Sequence, residues 1–381
     1  MDLLPVTVDA SLATSHPLHW AAGVQVHLPS DFVKQHCVAQ GSSWLFPAAL
    51  NLDHIEALAW QPLRELRAYT PIPPTSSRLP ISYQRIPPRV RSWIASLLGR
   101  RGLKKLADPN RFPGWPLDLS SDFAADCTGE NPSLWREGAT PVILSHDLDS
   151  QEGVENLERW FLELEERYGA RSMNYVVACG WQLDRGQMAR IKARGHELGI
   201  HGYDHANRTA FVGAAERQER LDAMQQVAQQ IGATGYRAPS LLRTPELLAA
   251  LAGRYRHDST IPTAGGLFPM PDNGSATARP YWLGELLEIP LSMPRDGSLR
   301  FLGHSPEQIS QIWIHSAQQI ARSGGVVVLL THCEERFSGN PEMLSAYEAF
   351  LAFIAESDTF AFSSMGEIET TMYADKESNH G

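Results

Sequence analysis

The apolar positions give this chain two textures. From Pro141 onward, short apolar runs of strand length alternate with segments whose apolar residues recur every three or four positions, the period of a helix with one buried face. PVILS (141–145) opens the series and ends in acidic residues, and Val154, Leu157, Trp160, Phe161 and Leu164 follow at helical spacing. SMNYVVA (172–178) reads as the next strand, Met188 to Arg194 as part of a second helix and HELGI (196–200) as a third strand. Leu221, Met224, Val227, Ala228 and Ile231 mark a third helix; Thr244-Pro245 supplies the cap and first-turn proline of a fourth. Ser305-Pro306-Glu307-Gln308 is a capping box for a fifth, which Gly324-Gly325 ends. VVVLLT (326–331) is the most strand-like run of all. Asn340-Pro341 caps a helix with Leu344, Tyr347, Leu351 and Ile354 inward, and TFAF (359–362) closes the pattern. Such alternation predicts an α/β fold whose parallel sheet is curled into a closed or nearly closed barrel.

The first part of the chain has no such rhythm. Residues 1–70 hold mixed short apolar runs, such as Val24 to Leu28 and Ser43 to Leu50, and read as a small N-terminal lobe. From Thr70 to Pro88 the prolines of TPIPPTSSRLPISYQRIPP fix φ and remove donors, which predicts an extended connector. Arg89 to Leu103 then reads as a short amphipathic helix, with Val90, Ile94, Leu97 and Leu98 on one side and expected to pack onto the main domain. Arg85, Arg89, Arg91, Arg100, Arg101, Lys104 and Lys105 make the same region basic, so the alternative is a contact for an anionic substrate or a peripheral contact with a membrane surface. The predicted division is a lobe and connector over 1–110, a barrel over 135–370 and a disordered tail over 371–381.

Composition narrows the function. At 381 residues the chain exceeds one average domain of about 150 residues. A hydrophobic fraction of 43% with 20% charged residues is that of a globular protein with a sizeable core. The net charge of -10 argues against nucleic acid as the partner, since phosphate neutralisation needs a basic surface. No apolar run reaches the roughly 18 residues of a membrane span. The opening MDLLPVTVDASLATSHPLHW lacks a basic stretch followed by an apolar core, so a cytoplasmic protein is expected. Cys37, Cys127, Cys179 and Cys333 are scattered without a CxxC, which fits reduced thiols.

In such barrels the chemistry sits at the C-terminal ends of strands, and four places qualify. His146-Asp147-Leu148-Asp149 follows PVILS; His201 and His205 follow HELGI; Arg237-Ala238-Pro239 follows Gly235-Tyr236; His332 follows VVVLLT. Two histidines four residues apart can aim neutral imidazoles at one divalent ion. Asp147 and Asp149 share a face if the segment stays extended and diverge if it turns, and the sequence leaves that open. Each has a plain structural reading as well: Asp149 as a helix cap, Arg237 as an ion pair, His332 as a satisfied strand-end histidine. Four such groups at four strand ends favour a shared site.

The acidic pair, GHELGIHGYDH (195–205), YRAPS, YRHDS, LEIP and LLTH occur in an order that resembles the polysaccharide deacetylase family, the NodB-type carbohydrate esterases, over about residues 140–370. The resemblance implies a distorted (β/α) barrel that removes acetyl groups from N-acetylated or O-acetylated sugars with a divalent metal, zinc being the expected ion. It matches His201 and His205 to the metal histidines. SHDLDS departs from the common TFDDG and is similar to a DxD variant, which makes Asp147 the base and Asp149 the third metal ligand; the reverse assignment stays open. Arg237 matches the arginine that orients the base, His332 the general acid and Asp258 the carboxylate that tunes it. Ser259 and Thr260 stand where a tryptophan usually follows that aspartate.

These residue types suit the chemistry. Two histidines and an aspartate leave open positions on a metal, a carboxylate accepts the proton of the attacking water, and an acid must protonate the departing amine. The implied substrate is an N-acetylated sugar, polysaccharide, or lipid- or nucleotide-linked glycan. Two alternatives remain: hydrolysis of a formyl or cyclic amide on the same barrel, and an inactive carbohydrate-binding relative. Trp115, Trp181 and Trp282 are candidates for stacking on sugar rings, with packing as the plainer role. The sequence does not address oligomeric state.

Overall fold

The computed structural model describes residues 3–11, 25–47, 73–78, 86–106, 138–262, 278–322 and 324–378; most of the proline-rich connector, Trp115 and Cys127 lie outside them. The N-terminal segment forms a four-stranded sheet from β1 (Leu3–Val8), β2 (Gln25–Pro29), β3 (Val38–Gln40) and β4 (Ser43–Phe46), in the order β2-β1-β4-β3. Helix α1 (Ser30–His36) joins β2 to β3, and Val6, Val33 and Phe46 are buried. A single long helix, α2 (Pro88–Leu106), follows.

The barrel begins at β5 (Thr140–Leu148), buried along its whole length. Its strands continue through β6 (Ser172–Val176), β7 (Glu197–Ile200), β8 (Gly235–Tyr236) and β9 (His257–Asp258), then β10 (Tyr281–Leu283), β11 (Leu286–Glu288), β12 (Val327–His332) and β13 (Phe360–Phe362). The order is β10-β11-β9-β8-β7-β6-β5-β12 with β13 also on β5, and every pair is parallel except β10 with β11. No ladder joins β12 to β10 among the described residues, but the segment after β11 leans across the gap. There Met293 N donates to Val328 O at 3.2 Å, and Ser292 Oγ lies between Val326 O at 2.6 Å and Val328 N at 2.8 Å. The sheet is a curled, nearly closed barrel, as the strand and helix alternation predicts.

Helices cover the outer face. They are α3 (Gln151–Asn156, a π-helical turn over Leu157–Phe161, then Leu162–Arg167), α4 (Arg185–Ala193), α5 (Ala214–Ile231), α6 (Pro245–Leu251), α7 (Asp296–Leu302), α8 (Pro306–Arg322) and α9 (Pro341–Ala355). The caps form as read: Thr244 Oγ1 accepts from Leu247 N and Asn340 Oδ1 from Met343 N. Ser305 and Gln308 exchange both bonds of the capping box.

Strand period 2 divides two apolar layers. Val142, Leu144, Leu198, Ile200, Val327 and Leu329 pack under the helices, while Ile143, Met173, Tyr175, Leu287, Val328 and Leu330 fill the barrel interior. The interior is plugged at one end by α10 (Met365–Ser378), whose Met365, Ile368 and Met372 join that inner cluster. Residues 371–378 are therefore helical, which corrects the expected disordered tail: the helix has an apolar face to bury inside the barrel, and Glu369 accepts from His257 Nδ1 at 2.6 Å. The amphipathic stripe of α2 meets its expected packing only in part. The helix lies against α7 of the main domain, yet Val90, Ile94, Leu97 and Leu98 remain 40–48% exposed. No helix among the described residues is long and apolar enough to cross a membrane.

Gly199 shows why the histidine motif needs its glycine. A Cβ there would clash with the Cδ1–Cε1 edge of the Tyr175 ring, which is fixed by its hydroxyl on His257 Nε2 at 2.8 Å and by the Arg237 guanidinium 4.2 Å from its centre. Gly199→Ala is expected to destabilise the protein by about 1–3 kcal/mol through overpacking, read as a lower urea midpoint.

Candidate active site

The open question about Asp147 and Asp149 is decided by the length of β5. The strand stays extended to Leu148, so Ser145, Asp147 and, at its end, Asp149 follow the inward parity of Ile143, while Leu144 and Leu148 join the outer layer. Ser150 Oγ, not Asp149, caps α3 by accepting from Gly153 N at 3.3 Å. His146 faces outward between Thr331 and Glu165, at 2.8 and 2.6 Å, and takes no part in the site.

Asp149, His201 and His205 offer three ligand atoms within 4.8 Å of one another. Asp149 Oδ1 stands 3.4 Å from His201 Nε2 and 3.1 Å from His205 Nε2. His201 Nδ1 lies 3.0 Å from the Arg237 carbonyl, so this nitrogen donates and Nε2 is left as a lone pair aimed at Asp149. Asp149 Oδ1 is buried without a hydrogen-bond partner. A buried carboxylate oxygen facing two imidazole nitrogens is the donor set a divalent cation completes, and these residues fit one.

Asp147 lies beside this cluster, with Oδ2 3.6 Å from His201 Nε2. Arg237, fully buried, donates Nη1 to Asp147 Oδ1 at 3.0 Å, both Nη atoms to Ser145 Oγ at 3.0 Å, and Nε and Nη2 to Ser259 O and Oγ at 3.0 Å. Burial alone would raise the Asp147 carboxyl, but the surrounding positive charge, including the Arg237 guanidinium paired with it, outweighs burial and holds it below the usual range, so it is ionised at neutral pH.

His332 ends β12 and lies in register with Asp147 on β5. Its carboxylate partner is Asp296, which corrects the expectation of Asp258. His332 Nδ1 is 2.8 Å from Asp296 Oδ1, and Asp296 Oδ2 accepts from His332 N at 2.7 Å and Ser338 Oγ at 2.8 Å. Burial would lower the His332 pKa, but the Asp296 charge and hydrogen bond override it and push it up to about 9. Asp258 falls on the opposite strand parity from His257 and Ser259. It meets Thr260 Oγ1 at 2.5 Å and pairs in register with Glu288 on β11. One residue of strand period therefore separates it from the site. Asp296 was missed because its only local signal is the Pro294-Arg295-Asp296 step after LEIPLSM, 36 residues before His332.

Asp147, Asp149, His201, His205 and His332 line one cavity of about 480 Å³. Among the described residues, four non-glycine residues have positive φ, namely His205 (53°), Asn207 (62°), Ser240 (52°) and Leu241 (57°), and all four line that cavity. Strained backbone of this kind, several residues at one cleft, is held by surrounding structure where geometry matters. Trp181 packs on the core and Trp282 stacks edge-on against Tyr373 at 5.0 Å; neither lines the cavity.

Residues 142–252 match the family model described as polysaccharide deacetylase. The barrel has the polysaccharide deacetylase fold. Solved structures agree: a putative polysaccharide deacetylase from Mycobacterium smegmatis is 20% identical with a TM-score of 0.52, covering 64% of this chain and 93% of its own. A probable polysaccharide deacetylase from Pseudomonas aeruginosa PAO1 is 17% identical with a TM-score of 0.52, over 68% and 99%. Puue allantoinase is 15% identical with a TM-score of 0.52, over 68% and 98%. No curated protein matches. The histidine motif lies within the residues that match the family model.

Proposed function

We propose that this protein is a divalent-metal-dependent hydrolase that removes an acetyl group from an N-acetylated or O-acetylated sugar. The observation that carries the reading is the convergence of Asp149, His201 and His205 beside an ionised Asp147, with His332 on the neighbouring strand. Asp149, His201 and His205 would hold the ion, zinc by the nature of the ligands, and it supplies Lewis-acid activation of water and of the acyl carbonyl. Asp147 accepts the proton of the attacking water, and Arg237 keeps it ionised and oriented. His332, protonated through Asp296, delivers a proton to the departing nitrogen or oxygen, since an amide anion is a very poor leaving group. Asp147 and His332 are in register on adjacent parallel strands, which supports a base and an acid acting on one acyl group.

The test is acetate release by the metal-loaded protein from N-acetyl and O-acetyl sugars, run beside formylated sugars and a cyclic amide. The last two are included because one protein of similar fold is an allantoinase. Acetate from the sugars supports the reading; release from the formyl or cyclic amides alone replaces it with hydrolysis of another C–N bond.

The His332–Asp296 pair sets a pH prediction. A histidine held at about 9 is charged and able to donate below that value, so activity is expected to fall as pH rises through 9. Asp296→Asn removes the anion and returns His332 toward the ordinary value near 6.5, moving the alkaline limb down. At pH 8 that leaves only a few per cent of His332 protonated and lowers kcat about thirtyfold, with the variant closest to wild type below pH 6. A pH–rate profile of the two proteins checks it.

A further inference from the structure

Two features of the cavity have no role in the chemistry above. The first is Arg295. It lines the cavity and is 8% exposed, yet among the described residues its guanidinium donates only to Ser298 Oγ, at 3.3 Å, and no carboxylate lies within ion-pair distance. Buried guanidiniums are normally matched with a carboxylate or several acceptors, as Arg237 is. Arg336 lines the same cavity. It reaches Asp149 Oδ2 at 3.7 Å, a long contact, and its Nε is buried without a partner. A third guanidinium, that of Arg91, comes to the cavity from α2.

The second feature is α2 itself. It packs against α7, and Ile94, Ala95 and Leu98 form part of the cavity wall. The same stripe continues outward through Val90, Trp93 and Leu97, and Trp93 is 66% exposed. Five of the seven large apolar side chains that stand exposed among the described residues lie on this one helix. Its sequence, PRVRSWIASLLGRRGLKKL, carries six cationic residues and no acidic one, within a chain of net charge -10. An apolar face on a basic helix is the pattern of helices that rest on an anionic lipid surface.

We propose that the substrate is an anionic amphiphile: an acylated sugar joined through a phosphate to an apolar chain, with the phosphate on Arg295 and Arg336 and the chain along the Ile94–Leu98 face of α2. Guanidinium forks match phosphate oxygens in geometry and charge, and the stripe gives the chain a continuous path from the cavity to the exposed face of the helix. The proposal rests on the deacetylase reading for the acyl-sugar part and on the arginines and helix for the remainder.

The test is equilibrium binding of three soluble probes to the metal-loaded full chain: inorganic phosphate, decyl phosphate below its micelle concentration, and neutral decyl glucoside. Decyl phosphate is expected to bind at least about a hundredfold tighter than inorganic phosphate, each buried methylene adding about fourfold, and well above decyl glucoside. Arg295→Gln and Arg336→Gln are each expected to lower decyl phosphate affinity about tenfold or more with bound metal unchanged, and Arg295→Lys by less, because it keeps the charge without the fork. Ile94→Ser with Leu98→Ser, on the exposed helix, removes the gain due to the chain and leaves inorganic phosphate binding as it was. Equal affinity for the two phosphates overturns the apolar path. Decyl glucoside binding as tightly as decyl phosphate, or phosphate affinity that ignores Arg336→Gln and Arg295→Lys and follows metal content alone, overturns the anion subsite. None of these readings depends on turnover: expected binding without acetate release defeats the deacetylase reading alone, and acetate release without these preferences defeats this proposal alone.

Discussion

Asp147→Asn is expected to lower kcat by about 10³–10⁴-fold while leaving the bound metal in place. The amide is nearly isosteric with the carboxylate, and its oxygen can still accept from Arg237 Nη1, which donates to Oδ1 at 3.0 Å, so the fold and the guanidinium network persist. What it lacks is a basic oxygen to take the proton of the attacking water. The three-atom cluster of Asp149, His201 and His205 is complete without it, so elemental analysis should show the same ion content as wild type. The comparison with Asp149→Asn settles the order of roles within SHDLDS. Loss of metal in the Asp149 variant and retention in the Asp147 variant is the expected result; the opposite pattern makes Asp147 the ligand and Asp149 the base. An Asp147 variant with unchanged turnover would remove the base from the mechanism altogether.

The other large effect is loss of the metal centre. Protein purified without added metal is expected to carry a divalent ion near one per chain. His201→Ala, His205→Ala and Asp149→Ala are each expected to reduce this to below about a tenth and to lower activity by at least about 10³-fold, because an incomplete ligand set holds the ion weakly and water must then attack the acyl carbonyl without Lewis-acid help. The variants should differ in stability. His201 Nδ1 donates to the Arg237 carbonyl at 3.0 Å, so its removal also leaves a buried carbonyl unpaired at that end and costs about 1–3 kcal/mol more. A chelator should reproduce the loss of activity in the wild type, and added zinc should reverse it. Stoichiometric metal that survives all three substitutions would place the ion elsewhere.

The architecture of the barrel was legible because its signals are local. Strand runs such as VVVLLT and capped helices such as the one opened by Asn340-Pro341 depend on neighbours within a few residues, and the structure repeats them nearly residue for residue. GHELGIHGYDH was legible for the same reason, since both histidines, the strand that aims them and the glycine beneath Tyr175 lie within eleven consecutive positions. The α2 stripe was legible as amphipathic, but its sequence does not state what covers the apolar face, and here much of it stands open beside the cavity.

By itself, then, the sequence determined the parallel α/β architecture, the order of its elements and the residue types at four strand ends. Tertiary structure decided which of those groups face each other. It set Asp147 and Asp149 on the inward parity by carrying β5 on to Leu148, and it turned Asp258 to the other face. It brought Asp296, 36 residues away along the chain, onto His332. It also folded α10 back into the barrel, where Glu369 meets His257 from 112 residues away. The physical reason is range. Helix and strand periods are written by adjacent residues, whereas a carboxylate's partner depends on how a barrel curls and where its connecting segments return, and both are set by packing across the whole interior.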